Sequence, residues 1–206
     1  MTISALNVRA LSVRRGERRL FDAFSLSVAA GEAVALTGAN GSGKTSLLRA
    51  LSGLLRPESG EITFHGADGD ALDPDSARSD QIHLIGHQDG LKSSRTAGEE
   101  LSFQAAWTGG EAADVAAAVE TLGLRPLLGL EVRRLSAGQR RRVAFGRLVA
   151  SPRPLWLLDE PMAPLDAARR ELLSGLMQRH LGGGGLIIAA VHDPLPFPAR
   201  TVEVGA

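Results

Sequence analysis

Eight residues constrain this chain more than any others: Gly38-Ala39-Asn40-Gly41-Ser42-Gly43-Lys44-Thr45, followed by Ser46. They match the spacing G-x-x-x-x-G-K-[ST]. Ahead of them Ala33-Val34-Ala35-Leu36-Thr37 is a short apolar run, of the kind that forms a strand buried on both faces. Behind them Leu47, Leu48, Leu51, Leu54 and Leu55 recur on one face of a helix, which Pro57 stops. Strand, glycine-rich turn and helix in that order let successive backbone N–H groups converge on one anion, and the helix N-terminus adds its partial positive charge. Lys44 then reaches the β and γ phosphates of a nucleotide, and Thr45 offers a hydroxyl to Mg²⁺. With this chain's Gly, Lys and Ser/Thr frequencies the pattern arises by accident roughly three times in a thousand, so phosphate binding is the function the fold has to accommodate.

The remaining pattern says which fold that is. Leu6 to Val13, Phe24 to Val28 and Glu61 to Phe64 alternate like antiparallel strands. Ile82 to Ile85, Leu155 to Leu158 and Leu186 to Val191 are further short apolar runs that fit a parallel sheet. Ala112 to Leu122 and Ala167 to Leu181 read as helices, and the stretch from Gln88 to Leu135 carries no strand signal. The expectation is an α/β fold with a mostly parallel sheet, an antiparallel β subdomain and an inserted helical subdomain. At 206 residues this is one domain, with a nucleotide-binding core over about 1–88 and 150–206 and a helical part over about 89–149.

Composition removes several classes. Lys+Arg and Asp+Glu are 23 each, which argues against a protein that wraps nucleic acid through bulk positive charge. The longest apolar run, Leu186 to Val191, is far short of the ~20 residues of a membrane-spanning helix. The first residues lack the pattern of a signal peptide. Cys is absent, excluding disulfides, thiolate metal sites and Cys nucleophiles. Of the basic residues only Lys44 and Lys92 are lysines.

Two further motifs follow the phosphate loop. In Leu155-Trp156-Leu157-Leu158-Asp159-Glu160-Pro161 the apolar run brings Asp159 to the carboxyl end of a buried strand, where ligands of open α/β sheets bind. Asp159 is a partner for Mg²⁺, and Glu160 is placed to orient and deprotonate a water in line with the γ-phosphate. A strand ending in two acids is common by itself; a phosphate loop in the same chain gives it meaning. In Leu135-Ser136-Ala137-Gly138-Gln139-Arg140-Arg141-Arg142, Ser136 can cap a helix running on through Val143 and Leu148. Alone, that is an ordinary N-cap followed by a solvated basic face.

The three motifs in this order resemble the ATP-binding cassette (ABC) ATPases, over nearly the whole chain. The resemblance implies roles for smaller matches: Gln88 as the residue that senses Mg²⁺ and the attacking water, Leu165-Asp166 as the loop after the acidic pair, and His192 as the histidine on the γ-phosphate. It also implies a second cassette, stacked head to tail in a homodimer, so that Ser136, Gly138 and Gln139 of one chain close over ATP held by the other. Two positions depart from the family pattern. Arg15 stands before Gly16 where the family often has an aromatic ring stacked on adenine; its planar guanidinium can take that place. Ala137 stands where Gly is commoner, which a negative φ tolerates.

Within the family, Gly86-His87-Gln88-Asp89-Gly90-Leu91-Lys92, the run Arg133 to Val143 and Pro154 to Pro161 look like the ATP-binding subunits of bacterial heme exporters in cytochrome c maturation. That likeness implies a peripheral protein on the cytoplasmic side of the cell inner membrane, bound to integral membrane subunits, with no nucleic acid partner. Its ATP turnover would release a heme-loaded chaperone. No Cys-x-x-Cys-His is present and the five histidines are unclustered, so heme itself is not written in the chain. A transporter of another substrate, or a soluble ABC ATPase of cofactor-cluster assembly, would carry the same motifs. Leu91, Phe103 and Trp107 are candidate anchors for a membrane subunit, or else core residues of the helical part.

Overall fold

The computed structural model describes residues 1–205 and divides into two compact units. The first comprises Met1–Leu84, Pro154–Glu160 and the chain from Ser174 onward. The second comprises Ile85–Arg153 and Pro161–Leu173. It thus takes in residues after the Asp159-Glu160 pair that the sequence pattern alone assigns to the core.

In the first unit, β1 (Ala5–Arg15), β2 (Arg18–Ala29) and β4 (Ser59–His65) form an antiparallel sheet in the order β2-β1-β4. Register explains the alternation seen in the sequence. Leu6 lies opposite Val28 and Phe64, and Val8 opposite Leu26 and Ile62, so the apolar residues share one face. A second sheet is ordered β5-β6-β7-β3-β8, from β3 (Ala33–Thr37), β5 (Ile82–Ile85), β6 (Leu155–Asp159), β7 (Leu186–Ala190) and β8 (Arg200–Glu203). Its β3–β7, β3–β8 and β6–β7 pairs are parallel. Every residue of β6 and β7 is buried, as continuous apolar runs require in a sheet covered on both faces. One hydrophobic cluster joins both sheets and α1 (Lys44–Leu51).

Three elements differ from the sequence pattern. The helix after Lys44 ends at Leu51 and does not continue to Leu55. Gly53, at φ 80°, turns the chain out, donating to Ala50 O while Ser52 donates to Leu48 O, and Leu54 is left exposed. The helix α2 (Pro74–Gln81) was not evident, because only Ala77 in it is buried; Asp73 caps it and Pro74 opens it. The edge strand β8 likewise lacks an apolar run.

The second unit is built on α3 (Ala97–Trp107), α4 (Ala112–Thr121) and α5 (Ala137–Ala150), packed on one another. Capping boxes start all three, the one on α4 with Glu111 N donating to Asp114 Oδ2 at 2.9 Å. Thr96 Oγ1 accepts from Glu99 N while the Glu99 carboxylate accepts from Thr96 N, and Ser136 with Gln139 repeats the arrangement. The last helix, α6 (Ala167–Gly182), is capped by Asp166, whose Oδ1 accepts from Arg169 N at 2.8 Å. No described helix is long and apolar enough to cross a membrane.

Candidate nucleotide site

The phosphate loop joins β3 to α1 in the first unit. Gly43 occupies the helix N-cap at φ 111°, and a Cβ there would lie 2.8 Å from the ring of Phe21, so only glycine fits. No side chain caps α1 and no acid stands in its first turn, which leaves its N–H groups and positive end to an anion. The Lys44 side chain is nearly buried, its Nζ folded back to donate to Gly38 O at 2.6 Å and Ala39 O at 3.2 Å. The Ser42 hydroxyl is buried and has no hydrogen-bond partner among the described residues, a donor left for a ligand. Val204 and Gly205 support the loop from behind: a Cβ on Gly38 would meet Val204 O at 2.6 Å, and one on Gly205 would meet Ser42 O at 2.7 Å. The sequence gives no motif for that support, since it arises only when β8 pairs with β3.

The carboxyl end of β6 brings the acidic pair to this loop. Asp159 is 4% exposed, and Thr45 Oγ1 donates to its Oδ2 at 2.9 Å. A hydroxyl and a carboxylate so close are the hard oxygen donors that suit Mg²⁺. Among the described residues no cluster of three or more His, Asp or Glu side chains could hold a metal alone, so substrate phosphates and water would complete the shell. Glu160 sits at φ 49°, a left-handed conformation costing a non-glycine residue on the order of 1 kcal/mol or more. Its N–H donates to Ala190 O at 2.9 Å, which holds the turn. His192 Nε2 lies 3.4 Å from Glu160 Oε1. Burial raises the Glu160 pKa above the ordinary carboxylate value; His192 and Lys44 oppose the shift, and the charge of Asp159 adds to it. A carboxylate of raised pKa is a better proton acceptor.

Lys44, Thr45, Asp159, Glu160 and His192 therefore come together in one unit. Gln88, Ser136, Gly138, Gln139 and Asp166 belong to the other. There Gln88 lines a concavity of about 510 Å³ with His87, Asp89, Gly90, Leu91 and Arg140. Arg141 lies beneath it, donating to Gly86 O and to Asp89 Oδ1 at 3.0 Å. Burial raises the Asp89 pKa against the pull of Arg141, Arg140 and Arg147. Ser136 Oγ is engaged within the chain as the N-cap of α5. Gly138 is required for packing, because a Cβ there would sit 2.7 Å from Pro164 O. Ala137 has ordinary helical backbone and an exposed methyl, so the departure at this position is accommodated. Phe103 and Trp107 are 47% and 81% exposed and stack on each other, so they are not core residues; Leu91 is half-buried.

The first unit carries a strand, a glycine-rich phosphate loop and a paired acid and hydroxyl, and the second carries the helix α5 that Ser136 opens. The ABC transporter family matches residues 21–163 of the chain. The chain belongs to that family. It is 48% identical over 201 residues to the cytochrome c biogenesis ATP-binding export protein CcmA of Rhodopseudomonas palustris, covering 98% of each chain. It is 45% identical over 208 residues to the protein of the same name from Hyphomonas neptunium, covering 99% of each. Among solved structures, a bacterial ABC transporter cassette determined as a dimer matches with a TM-score of 0.82 at 23% identity, over 97% of this chain and 94% of that one. An ABC transporter ATP-binding protein from Pyrococcus furiosus matches equally, at 0.82 and 22% identity over 98% of both chains. The cassette is thus an ABC-type ATPase, and its α/β fold is that of the family.

Proposed function

We propose that this cassette is the ATP-hydrolysing subunit of the heme exporter of cytochrome c maturation, working on the cytoplasmic side of the inner membrane with integral membrane subunits. The observation that carries this reading is the 48% identity over 98% of both chains with a cytochrome c biogenesis export protein. The work performed would be release of a heme-loaded chaperone.

The residues divide that work as follows. Backbone N–H groups of residues 38–46 and the Lys44 ammonium hold the β and γ phosphates of ATP, and the free Ser42 hydroxyl adds one donor. Mg²⁺ held by Thr45 and Asp159 would neutralise charge on the phosphate oxygens, and the resemblance to the family would add Gln88 as the residue that senses it. Glu160 aligns a water behind the γ-phosphate and takes its proton as the water oxygen attacks phosphorus. The bond from phosphorus to the β–γ bridging oxygen breaks and ADP leaves with that electron pair. His192 holds the Glu160 carboxylate in place and contacts the γ-phosphate. Ser136, Gly138, Gln139 and Asp166 of a second copy complete the site head to tail, so catalysis waits on closure of the dimer.

Membrane fractionation with pull-down tests the assignment. Recovery with an integral membrane partner, together with loss of c-type cytochromes on deletion, is the expected result. A membrane partner with intact cytochromes c would assign the cassette to another transporter. A purely soluble partner would assign it to cofactor-cluster assembly.

A further inference from the structure

Three arginines follow Gln139 in α5, and the middle one does not fit a solvated basic face. Arg141 is 2% exposed, where arginines on a helix surface ordinarily keep their charge in water. Its Nη1 donates both to Gly86 O, at 2.8 Å, and to Asp89 Oδ1, at 3.0 Å. The guanidinium carbon lies 5.8 Å from the centre of the Phe145 ring, one turn further along the helix. A buried ion pair is a poor stabiliser, since a well-packed apolar pair of similar volume often serves as well or better. What the planar, charge-assisted contact does supply is fixed geometry.

The two acceptors flank Gln88. Gly86 and Asp89 are half-buried, whereas His87 and Gln88 between them are exposed. Residues 86–90 follow the end of β5 and form no helix or strand. Their far end is held from α3, where Gln104 Nε2 donates to Gly90 O at 3.2 Å. Within α5, Arg141 stands three residues after Gly138, on the same face of the helix. Gly138 is in turn pressed against Pro164 O. All of these residues belong to the second unit. One guanidinium therefore joins the loop that carries Gln88 to the helical turn that follows Ser136.

We propose that Arg141 is a positioning residue for ATP hydrolysis: by clasping Gly86 and Asp89 it fixes the backbone on both sides of Gln88 and makes that loop and the start of α5 move as one piece. The inference rests on the role given above to Gln88. A side chain on a loop with free flanks loses orientational freedom each time it takes up its place, and a loop pinned on both sides has lost it beforehand. Because the clasp is rooted in α5, a displacement of Gln88 is passed to Ser136 and Gly138 through direct contacts. The effect falls on rate and not on affinity, since Lys44, Thr45 and the phosphate-loop N–H groups lie in the first unit.

Steady-state ATP hydrolysis by the full chain tests this, with ATP affinity and urea unfolding measured alongside. Arg141→Gln strands the Asp89 carboxylate and should lose both stability and rate. Arg141→Gln/Asp89→Asn removes both charges, and its shorter side chain no longer reaches Gly86. That double variant should unfold near the midpoint of the unaltered chain, bind ATP within about twofold of it, and turn over about tenfold more slowly. Arg141→Lys, which keeps the charge and loses the plane, should fall between. Gln88→Ala should also slow turnover, and adding it to the double variant should cost less than about a further twofold, because the clasp acts through Gln88. A folded double variant with kcat within about twofold of the unaltered chain overturns the proposal, since the pair then only balances charge. So does a Gln88→Ala loss that multiplies in full, which would make the two residues independent. If the double variant does not fold, Arg141→Lys decides: kcat equal to that of the unaltered chain overturns the clasp. Gln88→Ala with no effect on kcat refutes the role of Gln88 and the clasp with it. A slowed Gln88→Ala beside a fully active double variant refutes the clasp alone.

Discussion

Glu160 is held in left-handed backbone by its hydrogen bond to Ala190 and in partial burial beside Asp159, so its carboxyl keeps a proton to higher pH than an exposed glutamate. As a base it must be ionised. The turnover rate should therefore fall, on acidification, at a pH above the ordinary carboxylate range. His192 opposes that shift, so His192→Ala should move the acid limb to still higher pH, read from steady-state ATPase rates across pH. Glu160→Gln should retain ATP binding and lose turnover by about 10²- to 10⁴-fold. The same sign bears on stability: a carboxyl whose folded pKa is raised destabilises the fold once ionised, so Glu160→Gln should raise the melting temperature at neutral pH. At Gly138 the constraint is steric. Gly138→Ala drives a Cβ to 2.7 Å from the fixed carbonyl of Pro164 and should cost about 1–3 kcal/mol in urea unfolding. Gly129→Ala, with nothing within 4 Å, should cost far less. Lys44, Thr45, Asp159 and Glu160 were legible in the sequence because phosphate chemistry dictates both their type and their spacing. The burial of Arg141 was not, because its contacts with Gly86 and Asp89 join parts distant in sequence and follow from the packing of α5 and not from any local pattern.

Among the elements, those buried on both faces announced themselves. The apolar runs at Ala33–Thr37, Leu155–Asp159 and Leu186–Ala190 became β3, β6 and β7, because strands covered on both sides need no alternation. Elements held at an edge did not. Among the described residues the strand β8 pairs only with β3, and three of its four residues are exposed. In α2 the instruction is in the start signal: Asp73 Oδ2 accepts from Ser76 N, and Pro74 fixes the first turn. The hydrogen bonds from Ser76 lower the Asp73 pKa, so this cap stabilises α2 above the unfolded carboxylate value and is lost as pH falls through the folded one. In the helix α3 the capping residue Thr96 does not itself titrate, although its reciprocal partner Glu99 does, so the Thr96 half of the box is measured best at a pH where Glu99 is ionised. Thr96→Ala removes the acceptor for Glu99 N and should lower stability by about 1 kcal/mol in urea unfolding, with α3 the first helix to lose amide protection.

For the whole molecule, the phosphate loop, Asp159, Glu160 and His192 all lie in the first unit, so ligand binding adds directly to that unit's stability. At ATP concentrations 100-fold above Kd, linkage contributes about 2.7 kcal/mol, or a rise of about 5 to 10 °C in melting temperature for a chain of this size. Lys44→Ala should abolish the rise in a thermal scan. If the trans site forms, Glu160→Gln with ATP should elute from size-exclusion chromatography as a dimer and the ATP-free protein later, as a monomer; a monomer hydrolysing at full rate would sink the head-to-tail arrangement. The chain also carries two tryptophans, and they fall one to each unit. Trp107 is 81% exposed in the helical unit. Trp156, three residues before Asp159, is 3% exposed and stacks on His180 at 3.7 Å with 8° between the rings. Their emission should separate in colour, red for Trp107 and blue for Trp156, and acrylamide should quench only the first. Burial lowers the His180 pKa, so the imidazole under Trp156 stays neutral near neutral pH and quenches the indole as imidazolium only on acidification. One unlabelled spectrum would then follow the helical unit through its red edge and the catalytic unit through its blue edge, while the protein turns over.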